Sequence, residues 1–499
     1  PPTGYKALNT FNLDDPTITD PSEHFDTKLF TGDDSTDGSK KITYDFSPDL
    51  YWQKSRSNAY HNRLFDSIRG QGSLVTDDDF AEGTDANSTL TSFDSDGVSI
   101  ENTANELGNS SGVTYVAWAW DAGSSNTSLS VGDLNSSVYD KRYDWSTYIT
   151  GSVHSSYPLS NCFGSNIGPG TGNGIKSTTP GTLTLDISSL NLTVGTVRLH
   201  PSMYNQPSTF AVNGTTITSP GAPNTSYTDP IDVAVNGVIN TIAWSYDNPS
   251  GPYCYMRGIE FDGKLLQDTN STADTPTIAS TYRANPTAGF SIGTYTGTGA
   301  NATVAHGLNA APEMIWVKGR DYADGWHVYH VDTGNTHFLR LNATDAITDR
   351  DTVWRDTTPT STVFSIGTDN GVNSSTKSIS FYAFTSVEGY SKFGSYEGNN
   401  SSDGPFVWCG FKPRWVMVKS TAANSGNWWI WDSEREPTNA ITLPLYANTN
   451  AAETSSGTGA HDLLSNGFKF RGNGGAYNGA YTYIFCAFAE KPFKYSNAR

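Results

Sequence analysis

The sequence predicts an all-β protein built from tandem antiparallel β-sandwich domains of the jelly-roll type. Glycine occurs 48 times, aromatic residues reach 12%, and charged residues make up only 16% of the 499 residues, against about 25% in an average globular chain. Aromatic and β-branched runs separated by glycine turns are typical of strands in sandwiches and barrels. One segment that recurs three times further indicates repeated domains.

The recurring segment is a proline followed by an apolar run that ends at a lysine. Its copies span residues 46–56, 311–320 and 411–419, and their lysines are Lys54, Lys318 and Lys419. Proline lacks an N–H and is tolerated at the first residue of a strand. We therefore predict a buried strand that starts at the proline in each copy.

Each copy lies within a series of five strand-like segments, and this series occurs three times in the same order. The three series divide the chain into repeats. We predict an extended N-terminal arm or linker over residues 1–24 and homologous sandwich repeats over 25–127, 271–391 and 392–499, arranged in series. In the first repeat, residues 114–120 are apolar on both faces and are expected to form a central strand. Because the chain begins with Pro1 and Pro2, we expect it to be cut from a longer one.

Residues 128–270 do not follow this series and are predicted to be an inserted antiparallel jelly roll. The Asn213-Gly214 pair predicts a hairpin with a type I′ turn. The closing segment, residues 258–266, resembles the last hairpin of galactose-binding-like domains. Near it, Tyr253, Tyr255 and Arg257 are candidates for lining a glycan site.

Charge excludes several functions. A net charge of −19 opposes binding to nucleic acid, which requires a basic surface, and opposes binding to anionic membranes. No run of 18 apolar residues is present, so no membrane insertion is predicted.

The four cysteines lack metal-ligand spacing. Cys409 and Cys486 are predicted to be buried thiols, whereas a Cys162–Cys254 disulfide is left open.

No motif predicts catalysis. Asp33-Asp34 and Asp77-Asp78-Asp79 offer oxygen ligands for Ca²⁺, but no closing glutamate pattern accompanies them, so solvated loops are predicted and no cofactor is expected. His327 and His330 should face opposite sides of a strand and cannot share a metal. A glycosidase would need two selected carboxylates, and nothing selects a pair. The prediction is therefore a protein that is not an enzyme.

Trp428 is a candidate binding residue in the third repeat. Together with Trp429 and Trp431 it populates both faces of one strand. Either one face displays its rings to a sugar or a subunit, or a second layer covers both faces.

The repeats resemble a module of marine, cyanophage-type bacteriophages that occurs in tail-fibre and other virion structural proteins. The residues that carry the resemblance are 2–10, 284–299, 306–318, 387–399, 403–407 and 492–499. The resemblance implies a virion structural protein, a tail fibre or similar appendage on the extracellular particle, which attaches to the host surface. It further implies other virion proteins as partners, a homo-oligomer such as a trimer, and a host glycan as ligand.

Two alternatives remain at this stage. The chain could be a capsid-attached fibre or decoration protein without a receptor role. From a different class, it could be a secreted carbohydrate-binding protein or glycan depolymerase of a marine bacterium.

Overall fold

The computed structural model divides the chain into two compact units. It describes residues 13–83, 89–102, 108–129, 139–140, 143–164, 174–177, 181–204, 208–218, 226–227, 229–246, 253–268, 276–422, 426–455 and 461–496. Unit 1 comprises Pro1–Val131 and Pro276–Arg499, and unit 2 comprises Gly132–Thr275. Strands dominate both units, and the three α-helices of the described residues have four residues each. The predicted all-β class is confirmed.

The first repeat consists of two antiparallel sheets. Its strands are β1 (Phe25–Thr31), β2 (Lys40–Thr43), β3 (Leu50–Ser55), β4 (Arg63–Asp66), β5 (Leu74–Val75), β6 (Leu90–Asp94), β7 (Gly97–Ile100) and β8 (Thr114–Trp120). The larger sheet has the order β1-β8-β3-β4-β5 and the smaller one β2-β7-β6. Strand β8 pairs with β1 on one side and β3 on the other, as expected of a central strand.

Unit 2 is a separate sandwich of two sheets, reached after β9 (Asn126–Leu129) of unit 1. Its strands are β10 (Tyr139–Asp140), β11 (Ile149–Thr150), β12 (Gly181–Asp186), β13 (Leu192–Tyr204), β14 (Ser208–Val212), β15 (Thr215–Thr218), β16 (Ser226–Tyr227), β17 (Ile231–Ile239), β18 (Thr241–Tyr246), β19 (Tyr253–Phe261) and β20 (Lys264–Leu266). One sheet has the order β10-β20-β19-β13-β16 with β17 also paired to β13, and the other β11-β12-β18-β14-β15. The hairpin between β14 and β15 turns at Asn213 and Gly214 with positive φ angles of 48° and 77°, so the type I′ prediction is confirmed.

The second repeat has the same layers. Its elements are β21 (Ser280–Asn285), β22 (Phe290–Thr296), β23 (Ala302–Ala305), β24 (Met314–Gly319), β25 (His327–His330), β26 (His337–Arg340), β27 (Thr348–Asp349), α1 (Asp351–Trp354), β28 (Val363–Ile366), α2 (Asn370–Asn373) and β29 (Ser378–Phe384). The larger sheet has the order β27-β26-β25-β24-β29-β22-β21-β9, and β23 pairs with β28.

The third repeat completes the set. Its elements are β30 (Ser391–Glu397), β31 (Phe406–Trp408), β32 (Phe411–Ser420), β33 (Trp429–Asp432), β34 (Leu445–Tyr446), β35 (His461–Leu464), β36 (Gly467–Phe470), α3 (Gly475–Asn478) and β37 (Thr482–Pro492). Its sheets have the orders β30-β37-β32-β33-β34 and β31-β36-β35. The repeats share one pairing order: β1, β22 and β30 pair with the last strand of their repeat, that strand pairs with the proline strand, and the proline strand pairs with the strand that follows it. In the second repeat, β21 is an additional strand outside β22.

The prolines lie differently from the prediction. Pro48 and Pro312 precede β3 and β24 by two residues, so they lie outside the ladders. Pro413 is inside β32, where the pairing with β37 shifts register on both sides of it. A bulge is the position within a sheet where a missing N–H is tolerated.

One aromatic core joins the three repeats. Trp52, Trp316 and Trp415 stand on the proline strands and are at most 1% exposed. The Trp52 ring contacts those of Trp316 and Trp415 with centroid distances of 5.8 and 6.5 Å, both edge-on. Burial of one indole removes about 150–250 Å² of surface from water, which stabilises the folded state by up to about 4–6 kcal/mol. The repeats are therefore not domains in series, because they share this core within one unit.

The opposite face of each large sheet packs on the smaller sheet of its own repeat. Tyr51 in the first repeat, Ile315 in the second and Val416 in the third each lie in such a local core. Each proline strand is consequently buried on both faces, as its unbroken apolar run predicted.

The terminal lysine of each proline strand reaches into another repeat. The Lys54 ammonium donates to the Asn450 carbonyl of the third repeat at 2.8 Å. The Lys318 ammonium donates to the Asp79 carbonyl of the first repeat at 3.2 Å, and the Lys419 ammonium to the Asp345 carbonyl of the second at 2.9 Å. The contacts run from repeat 1 to 3, from 3 to 2 and from 2 to 1, so they close a ring.

Burial of these ammonium groups lowers the pKa of Lys54, Lys318 and Lys419 to about 8. The desolvation is tolerated because each ammonium donates to two or three carbonyls.

A backbone hydrogen bond repeats the same cycle two residues after each lysine. The carbonyls of Arg56, Arg320 and Thr421 accept from the N–H groups of Glu453, Glu82 and Ile347 at 2.7, 2.6 and 3.0 Å. Equivalent contacts in cyclic order give unit 1 an approximate threefold arrangement within a single chain.

Partly buried ion pairs lie at two of the three junctions. The Glu82 carboxylate bridges Arg69 and Arg320, each at 2.7 Å. The Glu453 carboxylate bridges Arg56 at 2.6 Å and Arg435 at 3.2 Å. The third junction places Ile347 and Thr421 at the corresponding positions and lacks this bridge.

Candidate binding site

Two of the three side chains of the glycan site predicted at the end of unit 2 are described, and both are buried. Tyr255 is 4% exposed, and its ring lies 4.9 Å from that of Tyr157. Arg257 is also 4% exposed and donates through Nε and Nη2 to the Pro201 carbonyl at 3.2 and 3.1 Å. The side chain of Tyr253 lies outside the described residues. The Arg257 contact joins β19 to β13, and a binding role for the three residues stays a prediction.

Trp428 lies in the core shared by the repeats. It is 1% exposed, and its indole N–H donates to the Arg340 carbonyl of the second repeat at 2.8 Å. Trp429 and Trp431 are buried on the other face of the strand, with stacked rings 5.5 Å apart. The structure therefore shows a strand whose two faces are both covered by other layers, and the Trp428 ring has no face open to a ligand.

The acidic clusters and the paired histidines serve local contacts. Asp33 accepts hydrogen bonds from the side chain of Asn109 and the N–H of Ser35, which hold its pKa well below the usual range. Asp77 accepts from His61 at 2.8 Å. His327 and His330 are at most 1% exposed. Within the described ranges, no three His, Cys, Asp or Glu side chains are grouped to hold a metal.

The cysteines whose side chains are described are free thiols. Cys162, Cys409 and Cys486 are all buried. Burial raises the pKa of all three thiols, which makes them poor nucleophiles at neutral pH. For Cys409 and Cys486 the predicted buried state is confirmed, and Cys162 is unpaired.

Tryptophan exposure identifies a different site. Twelve of the 13 tryptophans are buried, with at most 9% of their surface exposed, whereas Trp408 is 59% exposed. Phe406, on the same side of the three-residue strand β31, is 44% exposed, and Val407 between them is buried. An exposed pair of aromatic rings in a protein that buries all its other tryptophans calls for a functional explanation.

Trp408 and Lys392 line two cavities, which have volumes of about 700 and 440 Å³. The larger cavity is also lined by arm residues 13–17 and Glu388, and the smaller one by Phe406 and Asp332. We call this region the Trp408 groove. Both volumes fall in the range of small-ligand sites, about 300–1,000 Å³.

The surrounding chain fixes the position of the Trp408 ring. Strand β31 is the edge of its sheet and pairs with β36, with Trp408 opposite Gly467. At Gly410 the chain turns with φ of 82°, and a Cβ there would lie 3.1 Å from the indole. Glycine therefore suits the left-handed turn and lets the backbone pass close to the ring.

The N-terminal arm supplies one wall of the groove. The Asp15 carboxylate accepts from the Lys494 ammonium at 2.5 Å and from the Tyr495 hydroxyl. Ile18 is buried in the shared core, and Asp20 pairs with Lys491 at 3.1 Å. The described part of the predicted arm is therefore anchored along the third repeat.

The other repeats provide an internal comparison for the groove. The strand equivalent to β31 carries Lys41 and Thr43 around Ile42 in the first repeat, and Thr303 and Ala305 around Val304 in the second.

The third repeat alone has aromatic residues at both flanking positions. The sequence contains this difference, but it is visible only once the three strands are aligned by their buried central residue. Aromatic runs inside strands, the signal on which the sequence predictions depended, do not include Trp408.

Fold and groove define a class: an all-β protein in which three homologous sandwich repeats form one ring and a surface groove displays an aromatic side chain. Residues 20–156 and 266–492 match the family described as Domain of unknown function (DUF7483). This match covers well over half of the chain, so the chain belongs to that family. Residues 157–265, which separate the two matched ranges, fall within unit 2.

The other comparisons are sparse. No curated protein matches the chain. A solved structure, the cycloisomaltooligosaccharide glucanotransferase of Paenibacillus sp. complexed with cycloisomaltoheptaose, has 10% identity and a TM-score of 0.14, over 49% of this chain and 47% of that one. The chain thus spans about half the length of that enzyme, and the likeness carries no argument. Among the described residues, no helix is long and apolar enough to cross a membrane.

Proposed function

We propose that the chain is a structural protein of a phage particle, a tail fibre or similar appendage, and that it contacts the host surface. The observation that carries the proposal is the closed ring of three homologous repeats, together with the resemblance of segments in the second and third repeats to the phage module. A ring joined by equivalent contacts in cyclic order is a rigid scaffold suited to a threefold axis of a larger assembly.

The chemistry of the buried groups supports a scaffold role. Lysines with pKa lowered to about 8 often serve as catalytic bases or nucleophiles. Here Lys54, Lys318 and Lys419 direct their ammonium groups to backbone carbonyls at the junctions between repeats. Their perturbed pKa values therefore have a structural cause.

Assembly with other chains would use surfaces of unit 1 that lie outside the contacts between its three repeats. The faces through which the repeats recognise one another are already buried inside unit 1. A homotrimer, if this appendage forms one, needs contacts outside the ring. The net charge of −19 favours separation of copies that lack a specific contact.

Labelling of intact particles tests the proposal. An antibody raised against the purified chain should decorate intact phage in immunogold electron microscopy, and the purified chain should compete with phage for adsorption to host cells. Particles that contain no trace of the chain by mass spectrometry would refute it.

A secreted carbohydrate-binding protein is the second candidate, because the Trp408 groove offers an exposed indole beside polar groups. In that case the antibody should detect the chain in the medium of uninfected bacteria. The same labelling experiment separates the two candidates.

A further inference from the structure

We propose that the Trp408 groove binds an uncharged oligosaccharide built of pyranose rings. The inference gives the proposed function its ligand class and rests on it only for the biological setting. The binding chemistry is argued from the groove itself.

The shape of the groove favours a chain of sugars. Trp408 lines both cavities, so sugar units in the two cavities could contact the same indole. The C–H groups on one face of a pyranose carry partial positive charge, and the face of an indole carries partial negative charge. An indole that is 59% exposed and fixed by its strand and Gly410 is ready for such stacking without a rearrangement.

Polar groups around the ring match the hydroxyls of a sugar. Lys392 lines both cavities, and its ammonium group makes no hydrogen bond or ion pair within the described part of the chain. Asp14 and Glu388 line the larger cavity, and Asp332 lines the smaller one. Donors and acceptors on either side of a stacking ring can orient a polyhydroxylated ligand.

Charge favours a neutral sugar over an acidic one. In the larger cavity, Asp15 is paired with Lys494, which leaves Asp14 and Glu388 against the single ammonium of Lys392. A polyanionic glycan would meet this local excess of carboxylates as well as the net charge of −19.

A protein partner fits the groove less well. Strand β31 has only three residues, so an added strand would gain few backbone hydrogen bonds. Phe406 and Trp408 are the two exposed aromatic side chains of this edge, and they supply little of the roughly 800 Å² that each partner buries in a stable interface.

The experiment uses the full chain and reads Trp408 selectively. Because the other twelve tryptophans are buried, acrylamide should quench mainly the fluorescence of Trp408. Cellohexaose, laminarihexaose, maltohexaose and mannohexaose serve as neutral probes, and an oligogalacturonate of the same length as the anionic probe. Affinity is measured in parallel by titration calorimetry and on a broad glycan array.

We expect at least one neutral oligosaccharide to bind and to protect Trp408 from acrylamide. The Trp408→Ala variant should lose at least tenfold in affinity. The matched control Tyr481→Ala removes another exposed ring, 43% exposed, and should bind as the parent does. Unchanged near-ultraviolet circular dichroism in both variants shows that folding is intact.

Three results would overturn the inference: no neutral glycan bound on the array, preference for the anionic probe, or binding that Trp408→Ala leaves unchanged. Self-association in sedimentation velocity that disappears in Trp408→Ala would assign the groove to a second copy of the chain instead. Each of these results leaves antibody labelling of phage particles unaffected, so failure of the glycan inference and failure of the appendage proposal are distinguishable.

Discussion

Replacing a junction lysine tests how the ring is held together. In Lys419→Met the alkyl stem is retained, but the ammonium that donates to the carbonyls of Thr344, Asp345 and Ser420 at 2.9–3.3 Å is removed. The site is fully buried. Two of these carbonyls belong to the second repeat, so the substitution acts at the junction between repeats.

The magnitude follows from two opposing effects. Each buried carbonyl that loses its donor costs about 1–3 kcal/mol, or about 3–9 kcal/mol for the three. Removing the ammonium relieves its desolvation, which lowered the pKa of Lys419 to about 8 from 10.5 and corresponds to about 3 kcal/mol. The net expectation is a loss of about 3 kcal/mol in the free energy of unfolding.

Urea unfolding followed by tryptophan fluorescence measures this loss, and differential scanning calorimetry should show Tm lowered by about 4 °C for a unit of this size. The control is Lys377→Met, whose side chain is 41% exposed and faces Asp321 at 3.9 Å; a surface pair of this kind is worth at most about 1 kcal/mol. If Lys419→Met were as stable as the control variant, the lysine would not hold the junction and the reasoning would fail.

Three further substitutions probe the ring. Glu453→Gln should cost about 3 kcal/mol in urea unfolding, since it leaves two arginines without their shared carboxylate, whereas Glu434→Gln, on a 39% exposed side chain, should change stability little. Trp52→Ala should cost about 3–5 kcal/mol in the same assay, and an equal cost for Trp408→Ala would contradict the burial pattern. Burial lowers the pKa of His330 to about 4 from 6.5, so the unfolded chain binds more protons between these values and stability falls as pH drops from 7 to 5. His330→Asn should reduce that fall by about 2 kcal/mol, and an unchanged pH profile would show that His330 is not buried in its neutral form.

The sequence predicts the local elements well because their signals are local. The apolar run of residues 114–120 predicts a strand buried on both faces, and β8 is one. Asn213-Gly214 predicts a type I′ turn, and both residues have the positive φ angles that it needs. The repeats are detectable because the order of segments is preserved.

The ring is not predictable in the same way. Lys54 and Asn450 are far apart in sequence, and a lysine at the end of a strand ordinarily points to solvent. Only the fold shows that the terminal lysines enter neighbouring repeats. The sequence therefore predicts repeats in series, whereas in the structure the repeats share one core within unit 1.

Exposure decides which aromatic residues can bind. Trp428 and Trp408 both lie in the third repeat, and composition does not distinguish them. The shared core covers Trp428, because the second repeat packs against it. Trp408 remains exposed because it lies on the edge strand of the smaller sheet, away from the ring's centre.

The most direct test of the ring is to isolate one repeat. Residues 392–499, expressed alone, would expose the face of β32 and β37 that carries Trp415 and Phe488 and is otherwise covered by the other two repeats. The ring predicts that this fragment shows neither dispersed amide signals in a nitrogen–proton NMR spectrum nor a cooperative thermal transition. A well-dispersed spectrum with cooperative unfolding near the Tm of the full chain would show that the repeats are independent domains and would contradict the account.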